Sequence, residues 1–334
     1  FSTNKLISVI KREKPDIVHL QCINGYFVNI YKLLEWLKNS NILTVLTLHA
    51  EFMYTGGCSY ATPCNKWTES TGCRNCADWR KKIDSMFLDR TADMWKRMKK
   101  AYDGFGKRLI VVSVSPWLMD RARMSPMLKD YEHRVVMNGL DTNVFHPYST
   151  DSAEKIKKEL GIGKEKVIFH ATPRFSDDKD HIKGGYYVLK LAQMMPDVKF
   201  VVAGNADDNI NAPGNVILLG KITDQTRLAE LYSMADMTLL TSRKETFSMV
   251  TAETLCCGTP VVGFKAGAPE IIALEDYSEF VEHGNIDMLY SAAKRMLEQN
   301  TDSTQIAEQA KIYSKETMTK NYMEIYRELL DNNR

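Results

Sequence analysis

Long hydrophobic runs are missing from this chain. No apolar stretch approaches the roughly 18 residues of a membrane-crossing helix, which excludes a helical span. A strong charge excess is missing too. Lys and Arg number 44 against 42 Asp and Glu, a net charge of +2. That balance argues against binding nucleic acid through bulk charge, because no strongly basic domain stands out. Internal repeats and low-complexity segments are absent, so neither a solenoid nor a biased tract is expected. The chain opens with neither an initiator Met nor a signal peptide, and Phe1-Ser2-Thr3 leads straight into the helical pattern Leu6, Ile7, Ile10. A portion preceding Phe1 is therefore expected. What remains is 334 residues, 44% hydrophobic and 26% charged, as in a soluble globular chain of two domains.

Strand and helix patterns alternate along it. Strands are expected at 16–20, 43–48 and 108–114. Helices are expected at 3–14 and 26–39 and, after a cysteine-rich loop at 56–77, over a polar stretch from about 77 to 101. Ser115-Pro116-Trp117 opens a further helix, with Ser at the cap and Pro at its first position. Asn138-Gly139 is a turn signal. Beyond it the pattern restarts, with strands at 166–171, 198–203, 216–219, 237–240 and 260–264. Strands separated by helices build parallel sheets with right-handed crossovers. Two α/β units are expected, joined near 138–150. Ligands of such sheets bind beyond the carboxyl ends of the strands. His49, Arg174, Gly204, Glu245 and Gly267 all fall at such ends.

Seven cysteines are present. Cys22, Cys256 and Cys257 sit in apolar contexts and read as small core residues. The other four are spaced Cys58-x5-Cys64-x8-Cys73-x2-Cys76. The last pair has the knuckle spacing of a structural zinc site, and four thiolates would close a tetrahedral shell. The irregular first pair leaves two other readings open, free thiols in a loop or two disulfides. Without an export signal, reduced thiols are preferred.

The stretch 245–260, ETFSMVTAETLCCGTP, carries Glu245 and Glu253 within an otherwise apolar run between two strands. Carboxylates placed there are costly unless they bind something. Ser248 is a plausible N-cap, which makes Met249 onward a helix and sets Glu253 in its second turn. Unpaired N–H groups at the helix start are a ready site for phosphate oxygens. The two glutamates can each accept hydrogen bonds from neutral hydroxyls. A phosphate flanked by two polyols describes a nucleotide-sugar. The competing account is a surface charge and a helix-face charge.

Glu245-x7-Glu253, followed by Cys257-Gly258-Thr259-Pro260-Val261-Val262, resembles the donor-site signature of family 4 glycosyltransferases, group 1 type, which are retaining enzymes of GT-B fold. Pro15-Asp16-Ile17-Val18-His19, Thr47-Leu48-His49, Val114-Ser115-Pro116-Trp117-Leu118 and Asn138-Gly139-Leu140-Asp141-x3-Phe145-x-Pro147 fall in the family's order. Phe52-x2-Thr55-Gly56-x-Cys58, with Lys66-Trp67 and Gly72-Cys73-x2-Cys76, is similar to the subgroup that builds bacterial exopolysaccharide, capsule and O-antigen.

The resemblance implies an α/β protein with two Rossmann-like domains facing across a cleft. Residues 1–146 would be the acceptor side, 147–312 the donor domain, and 313–334 a helix crossing back to the first domain. It implies that Glu253 binds the ribose hydroxyls and Glu245 those of the transferred sugar. Thr246, Phe247, Ser248, Met249 and Gly204 would complete the nucleotide-sugar site, with Phe247 and Ser248 presenting backbone amides to the diphosphate. Arg174 and Lys183 match the family's basic pair, with Lys179 a competitor for the second position. Two cations would neutralise the leaving diphosphate, so no catalytic metal is expected. His49 would stand near the reacting sugar. The other histidines, His19, His133, His146, His170, His181 and His283, are read as structural. Same-face attack by the acceptor and double displacement both remain open.

Three departures from the family pattern matter. Ala50 follows His49 where the subgroup often has Asp, which moves polarity to Glu51. Ala266-Gly267-Ala268-Pro269-Glu270 has one glycine where two are usual. The family's first strand and glycine-rich loop have no counterpart before Phe1, so the N-terminal domain is expected to be incomplete. The activity implied is transfer of a hexose-type sugar from UDP or GDP to a hydroxyl of a growing, lipid-linked cell-surface glycan. The alternatives are a non-catalytic nucleotide-sugar-binding subunit that needs a partner or the N-terminal segment, and a GT-B nucleotide-sugar 2-epimerase, a class without Glu-x7-Glu. Residues 80–108 hold ten Lys and Arg against four Asp, a net of +6, leaving about −4 for the remainder. Met86, Phe87, Met94, Trp95, Met98 and Tyr102 are interleaved with those charges. Such a helix either rests on an anionic membrane or packs its stripe on its own domain. The location expected is cytoplasmic, with peripheral contact on the inner face of the membrane in the first case.

Overall fold

The computed structural model describes residues 2–25, 27–83 and 87–333. Expectations falling on Phe1, Tyr26, Asp84 and Met86 lie outside the described residues. The chain divides into two compact units. One comprises the residues up to Met137 together with those from Lys320, and the other is Asn138–Thr319.

Four parallel strands form the first unit's sheet: β1 (Ile17–Gln21), β2 (Leu43–Leu48), β3 (Leu109–Ser113) and β4 (Glu132–Val135), in the order β1-β2-β3-β4. β3, Leu-Ile-Val-Val-Ser, is buried along its whole length, and β2 at all but its first residue. Near-continuous apolar runs of this kind mark parallel strands covered on both faces. The helix Lys315–Asp331 contributes its residues from Lys320 to this unit. There His19 Nδ1 lies 2.6 Å from the Tyr326 hydroxyl, and Nε2 2.7 Å from Thr47 Oγ1. Burial, then the neighbouring His49, pulls the His19 pKa down to about 4.

Six parallel strands form the second sheet: β5 (Val167–Phe175), β6 (Lys199–Ala206), β7 (Val216–Leu218), β8 (Met237–Leu240), β9 (Val261–Phe264) and β10 (Ser278–Val281). Their order is β10-β9-β8-β5-β6-β7. The sheet therefore grows in opposite directions from β5, which places a topological switch point between β5 and β8. One face packs Ile168, Val202, Leu239 and Val262 against Val188 and Leu191 of the helix Gly185–Met194 and Leu289 and Ala293 of the helix Ile286–Glu298. Each of these Ile, Val and Leu side chains contributes about 1.5–3 kcal/mol on burial. This core makes the strand ends a rigid frame.

Differences from the sequence-based expectations have local causes. The stretch 77–101 is not one helix but Trp79–Lys82 and Thr91–Tyr102. Asp89 separates them, because its carboxylate accepts from the Thr91 N–H at 2.9 Å, Thr91 Oγ1 at 2.7 Å and the Cys76 N–H at 2.7 Å. A short acidic side chain that bonds nearby backbone opens a new helix instead of continuing an old one. Of the two readings of the stripe, the burial of Trp95, Met98 and Tyr102 favours packing on its own domain, while Phe87 is exposed. Lastly, β10 was not expected: Ser-Glu-Phe-Val is a half-polar edge strand paired only with β9. Among the described residues, no helix is long and apolar enough to cross a membrane.

Candidate functional site

Beyond the carboxyl end of β8 the chain turns through Glu245 into the helix Met249–Cys256. Ser248 caps this helix, its Oγ accepting from the Thr251 N–H at 3.2 Å. Its φ of +85° is one that side-chain-bearing residues rarely adopt, and such strain gathers at functional sites. Phe247 is buried and stands edge-on to Tyr313, with centroids 6.5 Å apart. The Glu245 backbone is pinned on both sides: its N–H donates to Ala266 O at 2.9 Å, and its carbonyl accepts from Ala268 N at 3.2 Å. The Glu270 carboxylate holds that partner loop through the N–H groups of Ala266 and Gly267, at 3.0 and 2.9 Å.

Lys183 arrives from the opposite wall. It precedes Gly184, whose φ is +68° and where an added Cβ would lie 2.2 Å from Thr241 O. Glycine alone lets the two segments meet so closely. Thr241 Oγ1 donates to Lys183 O at 2.9 Å, which fixes the segment, and the ammonium reaches Glu245 Oε1 at 2.6 Å. Glu253 receives the Tyr232 hydroxyl at 2.9 Å on Oε2. Burial pushes the Glu253 carboxyl up from its usual range, against a partial opposing pull from that bond.

These groups share one cavity of about 510 Å³ in the second unit, at the ends of β5, β6 and β8. Of the expected residues, Lys183, Gly204, Glu245, Met249 and Glu253 line it. Gly204 belongs at the close approach of β6 to β5, where a Cβ would meet Thr172 O at 2.2 Å. Thr246, Phe247 and Ser248 are buried in the turn and do not line the cavity. Arg174 does not line it either. Its guanidinium faces Asp207 through Nε–Oδ1 at 2.6 Å and Nη2–Oδ2 at 3.0 Å. Lys179 is exposed. His49 lies in the first unit at the end of β2, its Nε2 3.1 Å from Gln21 Oε1, with its pKa lowered by burial.

Tyr232, Asp207, Lys221 and His170 belong to the surroundings of this site and were not singled out for it beforehand. Tyr232 and Asp207 are 21 and 33 residues from the groups they hold, and nothing in their local sequence advertises a polar partner.

Cys58, Cys64, Cys73 and Cys76 line a separate cavity of about 380 Å³ in the first unit. Cys73 Sγ accepts from the Gly56 N–H at 3.2 Å, and burial pushes its pKa up to about 12. Burial also raises that of Cys58. All seven cysteines are free thiols. Among the described residues, no group of three or more His, Cys, Asp or Glu side chains is gathered to hold a metal ion.

Residues 152–313 match the family model described as glycosyl transferases group 1. N-acetyl-alpha-D-glucosaminyl L-malate synthase of Bacillus anthracis is 27% identical over 215 residues, covering 59% of this chain and 54% of that protein. The chain thus spans about half the length of that relative. WcaC of Escherichia coli strain K12, named for colanic acid biosynthesis, is 21% identical over 344 residues, covering 98% of this chain and 80% of its own length. Among solved structures, sucrose-phosphate synthase from Thermosynechococcus elongatus superposes with a TM-score of 0.72 at 18% identity, covering 99% of this chain and 77% of that one. Anabaena Alr3699/HepE in complex with UDP gives 0.67 at 16% identity, covering 98% and 82%. The fold is that of the GT-B glycosyltransferases, and the matched segment supports a glycosyltransferase of group 1 type.

Proposed function

We propose that this chain moves a sugar, with retention, from a UDP- or GDP-linked donor to a hydroxyl of a growing, lipid-linked cell-surface polysaccharide. The observation that carries this reading is the pair Glu245 and Glu253, which line one switch-point cavity on either side of a helix N-terminus. Glu253 accepts from the ribose hydroxyls and Glu245 from those of the sugar. The N–H groups of Met249 and Val250, which open the helix, serve the diphosphate.

Breaking the bond to the nucleoside diphosphate leaves growing negative charge, which a fixed cation stabilises. Lys183 supplies it. Its ammonium is held by Glu245, so donor entry exchanges one ion pair for two contacts, ammonium to phosphate and carboxylate to hydroxyl. Arg174 joins on leaving Asp207, and an exposed pair of that kind is readily exchanged. With side chains in this role the reaction needs no metal. The HepE structures with UDP and with UDP-glucose favour a uridine donor, and the name of WcaC favours a polysaccharide acceptor.

Titration calorimetry of UDP, GDP and ADP against the protein and its Glu253→Ala variant tests the assignment. One nucleotide should bind well and lose affinity on the substitution. If none of the three binds, the donor-site assignment is wrong.

A further inference from the structure

His170 lies in β5 and is 2% exposed. Its Nδ1 is 2.9 Å from Leu239 O. A carbonyl oxygen only accepts, so Nδ1 carries the proton and Nε2 keeps its lone pair. That Nε2 is buried and has no hydrogen-bond partner in the structure. Among the described residues, His170 is the only side chain lining the second unit's cavity that leaves a buried polar atom unmet. Phe175 stands edge-on 5.9 Å away and, with the Leu239 bond, holds the ring in place.

Native folds satisfy their buried acceptors, and an exception in a cavity wall points to a donor on the ligand. Burial and the neighbouring Lys183 pull the His170 pKa to about 4, so the ring is neutral at physiological pH. A neutral acceptor repels phosphate oxygen and attracts a hydroxyl. The Leu239 bond sets the ring beside the end of β8, two residues before Thr241, whose hydroxyl holds the Lys183 segment.

Resting on the donor-site reading above, we propose that His170 is a specificity residue whose Nε2 accepts a hydrogen bond from a hydroxyl of the sugar to be transferred. Such a bond discriminates between sugars, because a donor lacking that hydroxyl leaves the acceptor unpaired.

The experiment compares a bare nucleoside diphosphate with its sugar conjugate, UDP with UDP-glucose and GDP with GDP-mannose, by titration calorimetry. His170→Leu should leave the affinity for the bare nucleotide unchanged and weaken the sugar conjugate about tenfold. His170→Gln, which returns an acceptor to the same place, should recover most of the loss. Equal weakening of both ligands, or of neither, overturns the proposal. Failure of the unsubstituted protein to bind any nucleotide overturns the donor-site reading instead. Should the leucine variant not fold, imidazole nitrogen resonances of the unsubstituted protein decide. The unprotonated Nε2 signal of His170 should move upfield with the sugar conjugate and stay in place with the bare nucleotide. A signal that stays in place with both, as when only water meets Nε2, rules the assignment out.

Discussion

Two buried glutamates, Glu51 in the first unit and Glu253 in the second, show how differently one side chain can be used. Glu51 is fully buried and fully engaged. Its carboxylate accepts from Arg121 Nε at 2.5 Å, the Ala61 N–H at 2.5 Å and the Tyr54 hydroxyl at 3.2 Å. The Arg121 guanidinium in turn lies over Trp67 and Trp117, at 5.0 and 5.1 Å. Glu253 has one hydroxyl donor, Tyr232, and an open cavity beside it. A carboxylate with all its partners in the fold stabilises a loop, whereas one with a single neutral partner beside a cavity has room for the ligand hydroxyls proposed above. The polarity that the sequence moves to Glu51 is therefore consumed in packing.

The largest expected effect tests the first half of that contrast. Glu51→Ala leaves a buried guanidinium unpaired, and removing one partner of such a pair costs roughly 3–5 kcal/mol. Chemical denaturation should report a loss of that size, with nucleotide affinity unchanged in protein that remains folded. A loss below about 1 kcal/mol would make the Glu51 cluster ornamental.

Glu253→Ala should do the reverse. Hydrogen bonds to a charged acceptor are worth about 1.5–3 kcal/mol, which corresponds to roughly a 10–100-fold loss of nucleotide affinity. Stability should hold or rise, because a buried carboxylate with one neutral partner is removed. A variant that unfolds as Glu51→Ala does would erase the distinction.

The same two residues show what was legible in advance. Glu245, Ser248 and Glu253 sit within nine residues of chain, so helix geometry and capping chemistry suffice to bring them to one place. The strands of the second sheet were legible for a similar reason, since parallel strands bury both faces and read as apolar runs. Tyr232 and Asp207 were not, because their roles depend on which helix and strand end the tertiary fold sets beside Glu253 and Arg174. Arg174 itself was named, but its partner decides where its charge points. His170 looked like a core histidine and is one by burial, and only the direction of its Nδ1 bond distinguishes it.

A smaller effect follows from pH. The Glu253 carboxyl titrates above its ordinary value, whereas hydroxyl binding needs the carboxylate. As pH falls through that raised pKa, the free site takes up a proton that the ligand must expel, and affinity drops by up to about tenfold per pH unit. The fall should begin above the range of an ordinary glutamate, and Glu253→Gln should abolish that part of the slope. His170 and His19 act on stability with the opposite sign to Glu253. Their folded pKa values, about 4, lie below the ordinary histidine value of 6.5. Their contribution is present above 6.5 and is lost as pH falls from there toward 4. Melting temperature should therefore decline across that window, while binding of the bare nucleotide carries the Glu253 slope. A Glu253→Gln profile that matches the original would assign the binding slope elsewhere.

The smallest effect separates the two cavities by their chemistry. Thiol reagents attack the thiolate, so reactivity follows exposure and acidity together. Cys22 is exposed and should react first, whereas Cys256 and Cys257 are buried and should react last. Cys73, pushed up to about 12 by burial, should lag Cys22 by roughly a hundredfold or more at pH 8, with Cys58 slowed in the same direction. Nucleotide bound at Glu253 should leave these rates unchanged, because the two cavities belong to different units. If the four thiols were instead protected as a set and released together by a chelator, a bound metal would be holding them. The first unit's cavity would then be a closed structural site, distinct from the open one at Glu253.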